Sequence, residues 1–514
     1  MGRGFIKYLY LLLMLGSNTC VLLAQLNDKD LEKIEVDLIS GKNPILLEEL
    51  QKKTELKKNQ LNPLILAQYQ SLLGDYYLNK SDIELAKKYW DLSSKTIEAK
   101  FGQNSSFKAF KYNNQSKYYG FLIKSDSALY FAGKAVSICR HKRDSLKVIR
   151  ADKIYKQYGY ALKVKHIQNN DVLKGTAIAR QYLDSAIYFN KKYGYGGAFN
   201  TKLNVDIGNT YTDEIIHFQR LNQKTEAFSC FKKANSYYDK AIKEIPKEFG
   251  KTNQLLSNIY FVKGLTYLYC FVNDSLNPLL RNLHNGLIAL TPNYTNQSVL
   301  ACPSSENTFL NESSVLILLH FKIDALHNLY LQTKDLKYLE ACYEHSKTAF
   351  VIWKNFFSKL KTEEIHLATE MYGAAPFSSS IPFCNEYYQI TKNKRIAEDV
   401  FSWMELNKYS VLLKQQLDNG IVSFKSSPIN IAEIQSKLKQ NQAIIEYYYW
   451  DGFDYSIITK DKFELHKLDL NYKINSKIDS LNLFLKKHDA EKYCIQSKEL
   501  YDLIFKPVQS NLSA

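Results

Sequence analysis

"LLGDYYLNKSDIELAKKYWDLS", residues 72–93, decides how most of this 514-residue chain is read. Gly74 stands three residues before Tyr77, and after a polar turn Ala86, Trp90 and Ser93 follow at spacings of four and three. Both halves carry a helical period. Small side chains mark where two helices joined by a short turn can approach closely, and bulky rings fill the grooves beside them. The stretch predicts a helical hairpin.

The pattern recurs along the chain. "YNNQSKYYGFLIKSDSALYFAGKA", residues 112–135, places Tyr112, Ser116 and Tyr119 before Ala128, Ala132 and Ala135. A longer copy sets Gly159 and Leu162 before Ala179, Leu183 and Ala186, and a fourth runs from Ile207, Gly208 and Tyr211 to Ala227, Phe231 and Ala234. "AKFG" at 99–102, "KKYG" at 191–194 and "KEFG" at 247–250 each put Gly after an aromatic residue, the signature of a left-handed helix cap. A hairpin buries one face internally and needs a neighbour for the other, so such units stack. Beyond about residue 250 the pattern loosens but stays helical, and "GAAPFSSSIPF" at 373–383 predicts a longer connection.

These copies resemble the tetratricopeptide repeat, in the longer, irregular version found in exported bacterial proteins. The resemblance covers roughly residues 28–415 and is strongest at 65–100 and 107–137. Gln70 stands where the family has Trp, the usual Pro after the second helix is missing, and the spacing stretches in the third and fourth copies. The resemblance implies a groove that binds a peptide or partner protein.

Composition agrees with a folded helical chain: 45% hydrophobic, 23% charged, with only 20 Gly and 10 Pro. The net charge of +16 comes from 68 basic and 52 acidic residues, with the lysines dispersed along the chain. Dispersed lysines imply solvated helix faces rather than a nucleic-acid or anionic-lipid site. "MGRGFIKYLYLLLMLGSNTCVLLAQ" has Arg3 and Lys7, an apolar run from Tyr8 to Leu15, then small and polar residues to Ala24. It predicts a signal peptide over 1–24 and an exported, periplasmic or envelope protein without stable membrane insertion. Cys20 follows "SNT", which lacks the aliphatic and small residues of a lipidation site.

Near the far end the period changes. "NQAIIEYYYWDGFDYSIITKDKFELHKL", residues 441–468, alternates and turns twice. It predicts strands at 443–450, 453–459 and 462–468, with Asp451–Gly452 as the first hairpin turn. Phe453, Tyr455 and Ile457 alternate with Asp454 and Ser456, and Phe463 and Leu465 with Glu464 and His466, giving the meander one apolar face. A short helix begins at Asn430, with Glu433 as a capping-box partner and Ile434 and Leu438 directed inward. Two helices follow the strands, one with Ile474, Ile478, Leu481 and Leu485 on a stripe, the other with Ser497, Leu500, Tyr501 and Ile504. Three strands with these helices make a poor core, and the sheet's edges lack a partner.

Residues 395–514, in this order of elements, resemble the opening of a CHAT domain, the caspase-related module that follows tetratricopeptide arrays. That family's catalysis implies a His followed by Gly and a Cys preceded by Ser–Ala. Neither occurs here, so the resemblance implies a fragment cut short before its dyad, and the alternative function is the regulatory part of a CHAT-family cysteine peptidase. The expected fold class is mostly α, an α-solenoid of tetratricopeptide-like helical hairpins followed by a small, incomplete α/β segment. Its parts are a leader at 1–24, an array at 25–418, a linker at 419–430 and a CHAT-like portion at 431–514.

Seven cysteines follow the leader: Cys139, Cys230, Cys270, Cys302, Cys342, Cys384 and Cys494. They read mostly as small buried hydrophobes, one disulfide staying open. Cys–His pairs such as His466 with Cys494, or His366 with Cys384, are weighed as thiol sites. The bland reading puts His466 on a strand surface and Cys494 in a helix core. Glu363, Glu364 and His366 lack a second His at ligand spacing. No catalytic, cofactor-binding or metal residue is assigned, and the expectation is a non-enzymatic interaction scaffold.

Overall fold

The computed structural model describes residues 63–79, 83–102, 105–142, 149–193, 197–271, 276–358, 375–418, 430–449, 453–468 and 474–512. The expected leader, the linker up to residue 429 and the Asp451–Gly452 turn lie outside them. The chain divides into two compact units. Unit 1 comprises Met1–Val299 with Glu306–Leu318, and unit 2 comprises Leu300–Ser305 with Leu319–Ala514.

Unit 1 is built from helical hairpins. Among the described residues they are α1 (Pro63–Asn79) with α2 (Ile83–Phe101), α3 (Lys108–Phe121) with α4 (Ser125–His141), and α5 (Ala151–Gln168) with α6 (Val172–Tyr193). Then come α7 (Gly197–Arg220) with α8 (Lys224–Phe249), and α9 (Gln254–Cys270) with α10 (Leu276–Leu290). The small positions act as expected. A Cβ at Gly74 would lie 2.4 Å from the Trp90 ring, one at Gly159 2.7 Å from Tyr182 Cβ, and one at Gly208 2.8 Å from the Tyr238 ring. Three residues after Gly74, Ser116 and Gly208 a tyrosine stacks on an aromatic of the second helix: Tyr77 on Tyr89 at 5.4 Å, Tyr119 on Phe131 at 5.3 Å, and Tyr211 on Tyr237 at 6.1 Å. Such ring pairs add about 0.5–1.5 kcal/mol beyond their buried area.

The stretched spacing of the third and fourth copies does not lengthen the turns. Residues 122–124, 169–171 and 221–223 form turns of equal length, closed the same way by Lys124 N–H to Tyr119 O, Asp171 N–H to His166 O, and Gln223 N–H to Phe218 O. Each has a left-handed residue, Ile123 (φ 59°), Asn170 (φ 61°) or Asn222 (φ 57°), as this closure requires. The extra residues extend the helices: 14 and 17 residues in the second hairpin, 24 and 26 in the fourth. Gly102 and Gly250 have φ of 73° and 74°, as the aromatic–Gly endings predict, while Gly194 lies outside the described residues.

Unit 2 holds most of α11 (Glu312–Thr333), followed by α12 (Lys337–Ser358), α13 (Ala375–Thr391), α14 (Lys394–Asp418) and α15 (Ile431–Lys437). The strands are β1 (Ala443–Tyr449), β2 (Phe453–Thr459) and β3 (Phe463–Leu468), and the chain continues through α16 (Ile474–Lys486), α17 (Ala490–Ile504) and α18 (Lys506–Leu512). One expectation is overturned at α13: "APFSSSIPF" is helix, with Pro382 inside it. Phe377, Ile381, Cys384 and Tyr388, spaced four, three and four apart, are buried. Phe377 packs against Phe350 and Trp353 at 5.0 and 5.1 Å. A proline inside a helix costs about 3 kcal/mol, and burial of four side chains at about 1.5–3 kcal/mol for each large one outweighs it.

The three strands form an antiparallel meander of order β1-β2-β3, registered Ile445 to Ile457 and Ile457 to Glu464. One face, with Ile445, Tyr447, Tyr455, Ile457 and Leu468, packs on Ile474, Ile504, Val508 and Leu512. The opposite face is covered too. Asp454 and Ser456, read from the sequence as its polar side, are buried together with Glu446. Helices α13 and α14 cover them: Asn385 Nδ2 donates to Asp454 Oδ1 at 2.7 Å, Lys408 Nζ lies 2.8 Å from Glu446 Oε1, and Phe401 meets Phe463 edge-on at 5.6 Å. The β3 edge is capped as well, since Gln389 Nε2 donates to Leu465 O at 2.7 Å and Asn385 Nδ2 to His466 O at 3.0 Å. The partner that the meander lacked in sequence is the pair of helices before it.

Two further expectations change here. The stripes of α16 and α17 are largely exposed: Ile478, Leu485 and Tyr501 are 39%, 58% and 45% accessible, and only Ile474 is buried. At α15, Asn430 Oδ1 accepts from Ala432 N–H as a cap, but Glu433 pairs with Lys437 at 2.6 Å, and Ile434 and Leu438 are half-buried.

Candidate interaction surface

Polar side chains cross from each first helix of unit 1 to the next. Lys117 Nζ on α3 lies 2.8 and 2.9 Å from the two oxygens of Asp75 on α1, and Asp75 Oδ1 also accepts from Trp90 Nε1 at 3.2 Å. Gln157 Nε2 on α5 donates to Ser116 Oγ on α3 at 3.1 Å. Between α5 and α7 the pairs Lys156–Asp206 (2.8 Å) and Lys163–Asp213 (2.7 Å) repeat two helical turns apart. Side chains with small exposure make these bridges. Burial raises the Asp213 carboxyl, which Lys163 opposes, and pushes the Tyr160 hydroxyl well up beside Asp213 and Asp206. Buried pairs of this kind set register more than they stabilise.

Two recesses open between these helices. One, continuous with solvent, is walled by α1, α3 and the start of α5. The other lies between α5, α6 and α7 beside Tyr160 and Asn209. In the first, the charged groups are internally satisfied: Asp75 by Lys117, and Arg150 through two bonds to Asp152 at 3.0 and 2.9 Å. The amides are not. Both polar atoms of Gln68 and the Oδ1 of Asn113 are buried without a partner among the described residues. Sequence reading named neither, because an Asn or Gln on a first helix looks the same whether it braces a neighbour, as Asn114 does by accepting from Ser71 Oγ at 3.1 Å, or waits for a ligand. Gln70, the departure at the repeat's Trp position, is a brace: its Oε1 accepts from Thr96 Oγ1 at 2.8 Å.

Of the Cys–His candidates, His466 and Cys494 both lie among the described residues. His466 stacks on Tyr455 at 4.9 Å and its Nε2 lies 3.2 Å from Glu464, while Cys494 is exposed on α17, not in a helix core. Cys384 is buried, its thiol pushed up to about 12 by burial. Its suggested partner His366, with Glu363 and Glu364, lies outside the described residues. Burial also lifts the thiols of Cys139 and Cys230 to about 12, and those of Cys270 and Cys302 to about 11. These cysteines are unbridged, and four of the seven are buried.

A Ser–His–Asp constellation that the sequence did not signal occurs between α11 and α13. Ser379 Oγ lies 3.2 Å from His320 Nδ1 but donates its proton to Asp324, whose other oxygen is 3.8 Å from His320 Nε2. In a nucleophilic triad the carboxylate and serine contact opposite ring nitrogens and the serine is open to substrate. Here the serine hydroxyl is hydrogen-bonded to the carboxylate itself and Ser379 is buried, so the group is a helix–helix brace. Among the described residues no set of three His, Cys, Asp or Glu side chains could hold a metal ion, and no helix is long and apolar enough to cross a membrane.

No protein-family model matches the chain, and no curated protein matches it. Solved structures do. NprR in complex with its cognate peptide NprX is 14% identical, covering 76% of this chain and 98% of its own, with a TM-score of 0.33. BtubC (BKLC) from P. vanneervenii is 12% identical over 61% of this chain and 92% of its own, with a TM-score of 0.24. A circular tandem repeat protein with novel repeat topology is 8% identical over 81% and 97%, with a TM-score of 0.25. Likeness at this level supports no conclusion about ligand or activity.

Proposed function

We propose that this chain is a non-catalytic, exported interaction scaffold that receives a peptide or partner-protein segment on the first-helix side of unit 1. The observation that carries the reading is the α1–α3–α5 recess, where charges are spent on one another while the Gln68 and Asn113 amides have no partner among the described residues. An unpaired buried polar group costs about 1–3 kcal/mol, which a ligand offering amide or hydroxyl groups would recover. The leader-like start with Arg3 and Lys7 supports export. The test is capture of partners from cell extracts on immobilised protein, comparing wild type with Gln68→Leu/Asn113→Leu of equal thermal stability. Loss of a specific partner in the variant supports the reading; identical capture by both rules the recess out.

A second reading takes this chain as the regulatory part of a CHAT-family cysteine peptidase. It is favoured by the order of short helix, three-stranded meander and closing helices in unit 2. Reading the DNA downstream of codon 514 in all frames tests it. Coding capacity for His–Gly and Ser–Ala–Cys favours the peptidase, and its absence removes it.

A further inference from the structure

The sheet face covered by α13 and α14 holds an arrangement that neither reading uses. Glu446 points from the middle of β1 against α14 and is 4% exposed. There a second carboxyl, Glu405 of α14, shares its cation. Lys408 spans the two, its Nζ 2.8 Å from Glu446 Oε1 and 2.9 Å from Glu405 Oε1. Two carboxylates drawn to one ammonium repel each other unless one of them carries a proton. The single ammonium balances one negative charge, so the cluster is neutral with one proton retained and carries an unmatched buried charge without it.

Other charged groups at this face are already engaged. On β2, Asp454 accepts from Asn385 of α13; on β3, Lys467 acts on Asp454 and on Glu386 of α13; and Glu386 pairs with His327 at 2.9 Å. The hydroxyl of Ser456, the residue opposite Glu446 on β2, is buried without a partner among the described residues. Among the described residues, Lys408 is the one cation within ion-pair distance of Glu446. Burial and Glu405 push the Glu446 carboxyl up to about 8, while hydrogen bonds to Glu446 and Lys408 outweigh burial and hold Glu405 below the usual range.

We propose that Glu446, Glu405 and Lys408 form a proton-controlled latch: with one proton retained between the carboxyls the sheet stays docked on α14, and when both ionise the docking of β1 loosens. The loosening develops as pH rises from the ordinary carboxyl range towards about 8, is complete above it, and is confined to unit 2. Any partner of that sheet face would gain access on the alkaline side.

Hydrogen–deuterium exchange of the full chain at pH 6.5 and pH 9, corrected for intrinsic rates, tests this. In the wild type, the opening of segment 443–459 should rise by about tenfold or more between the two pH values, with segment 204–220 of unit 1 as the reference. Glu446→Gln, which keeps the shape and cannot ionise, should stay protected at both. Asp454→Asn should still show the rise, which separates the latch from the neighbouring carboxyl. Glu405→Gln, should Glu446→Gln fail to fold, removes the repelling neighbour and should shrink the rise. Equal protection of the wild type at both pH values, or a rise undiminished in Glu446→Gln or Glu405→Gln, overturns the proposal.

Discussion

Gly74 lies flat against the indole of Trp90: a Cβ at that glycine would sit 2.4 Å from both Cδ1 and Nε1 of the ring. The ring has no room to withdraw, because its Nε1–H donates to Asp75 Oδ1 and to Ser71 O, each at 3.2 Å. Gly74→Ala should therefore destabilise unit 1 by about 1–3 kcal/mol through overpacking. That exceeds the roughly 0.5–1 kcal/mol by which Ala is favoured over Gly inside a helix. Urea denaturation followed by tryptophan fluorescence measures it, and a stabilised variant would contradict the close approach.

Asp75 is the acceptor that keeps Lys117 neutralised where both are buried. Asp75→Ala strands the ammonium and should cost about 3–5 kcal/mol, whereas Asp75→Leu/Lys117→Met should lie near the wild type. Comparing denaturation midpoints of the two variants separates a pair that specifies register from one that supplies net stability.

Asn385 ties α13 to the sheet through Asp454 Oδ1 and His466 O. Burial raises the Asp454 carboxyl to about 6, and the Asn385 bond opposes this. Asn385→Leu fits the volume but leaves both acceptors bare, and should destabilise unit 2 by about 1–3 kcal/mol. Amide exchange in β2 and β3 should accelerate, with exchange in α5 unchanged.

Lys322 is fully buried with its Nζ 2.7 Å from Ala301 O, and burial lowers its ammonium to about 7. The unfolded side chain titrates near its ordinary value of about 10.5. Between these values the unfolded chain binds the extra proton, so this group makes unit 2 more stable as pH rises from about 7 towards 10.5, and contributes no slope below 7. Lys322→Met should remove that alkaline gain while leaving the molecule folded at neutral pH. Thermal midpoints from pH 6.5 to 10 read it out, and an unchanged pH slope would refute the assignment.

Local chemistry made much of this architecture legible. A small residue three before a ring, and a second small–bulky–small run after a polar turn, can be satisfied only by a helical pair, and Gly74, Ser116 and Gly208 mark it without reference to anything distant. Strand alternation placed β1, β2 and β3 to within a residue, because period two is a property of the strand itself. Helix α13 was illegible for the converse reason: its serines and Pro382 oppose a helix locally, and only the aromatic wall of Phe350 and Trp353 reverses the balance.

What the sequence by itself determined is most of the elements: hairpins, meander, caps and their order, with α13 the exception. Tertiary structure alone decided which faces are inside. Asp454 and Ser456 have the polarity of a solvent face, yet α13 and α14 bury them, and the stripes of α16 and α17 look like core but stay largely open. The physical reason is range. Period and turn propensity act over a few residues, whereas the partner that makes a polar side chain tolerable inside, Asn385 for Asp454, comes from 69 positions away.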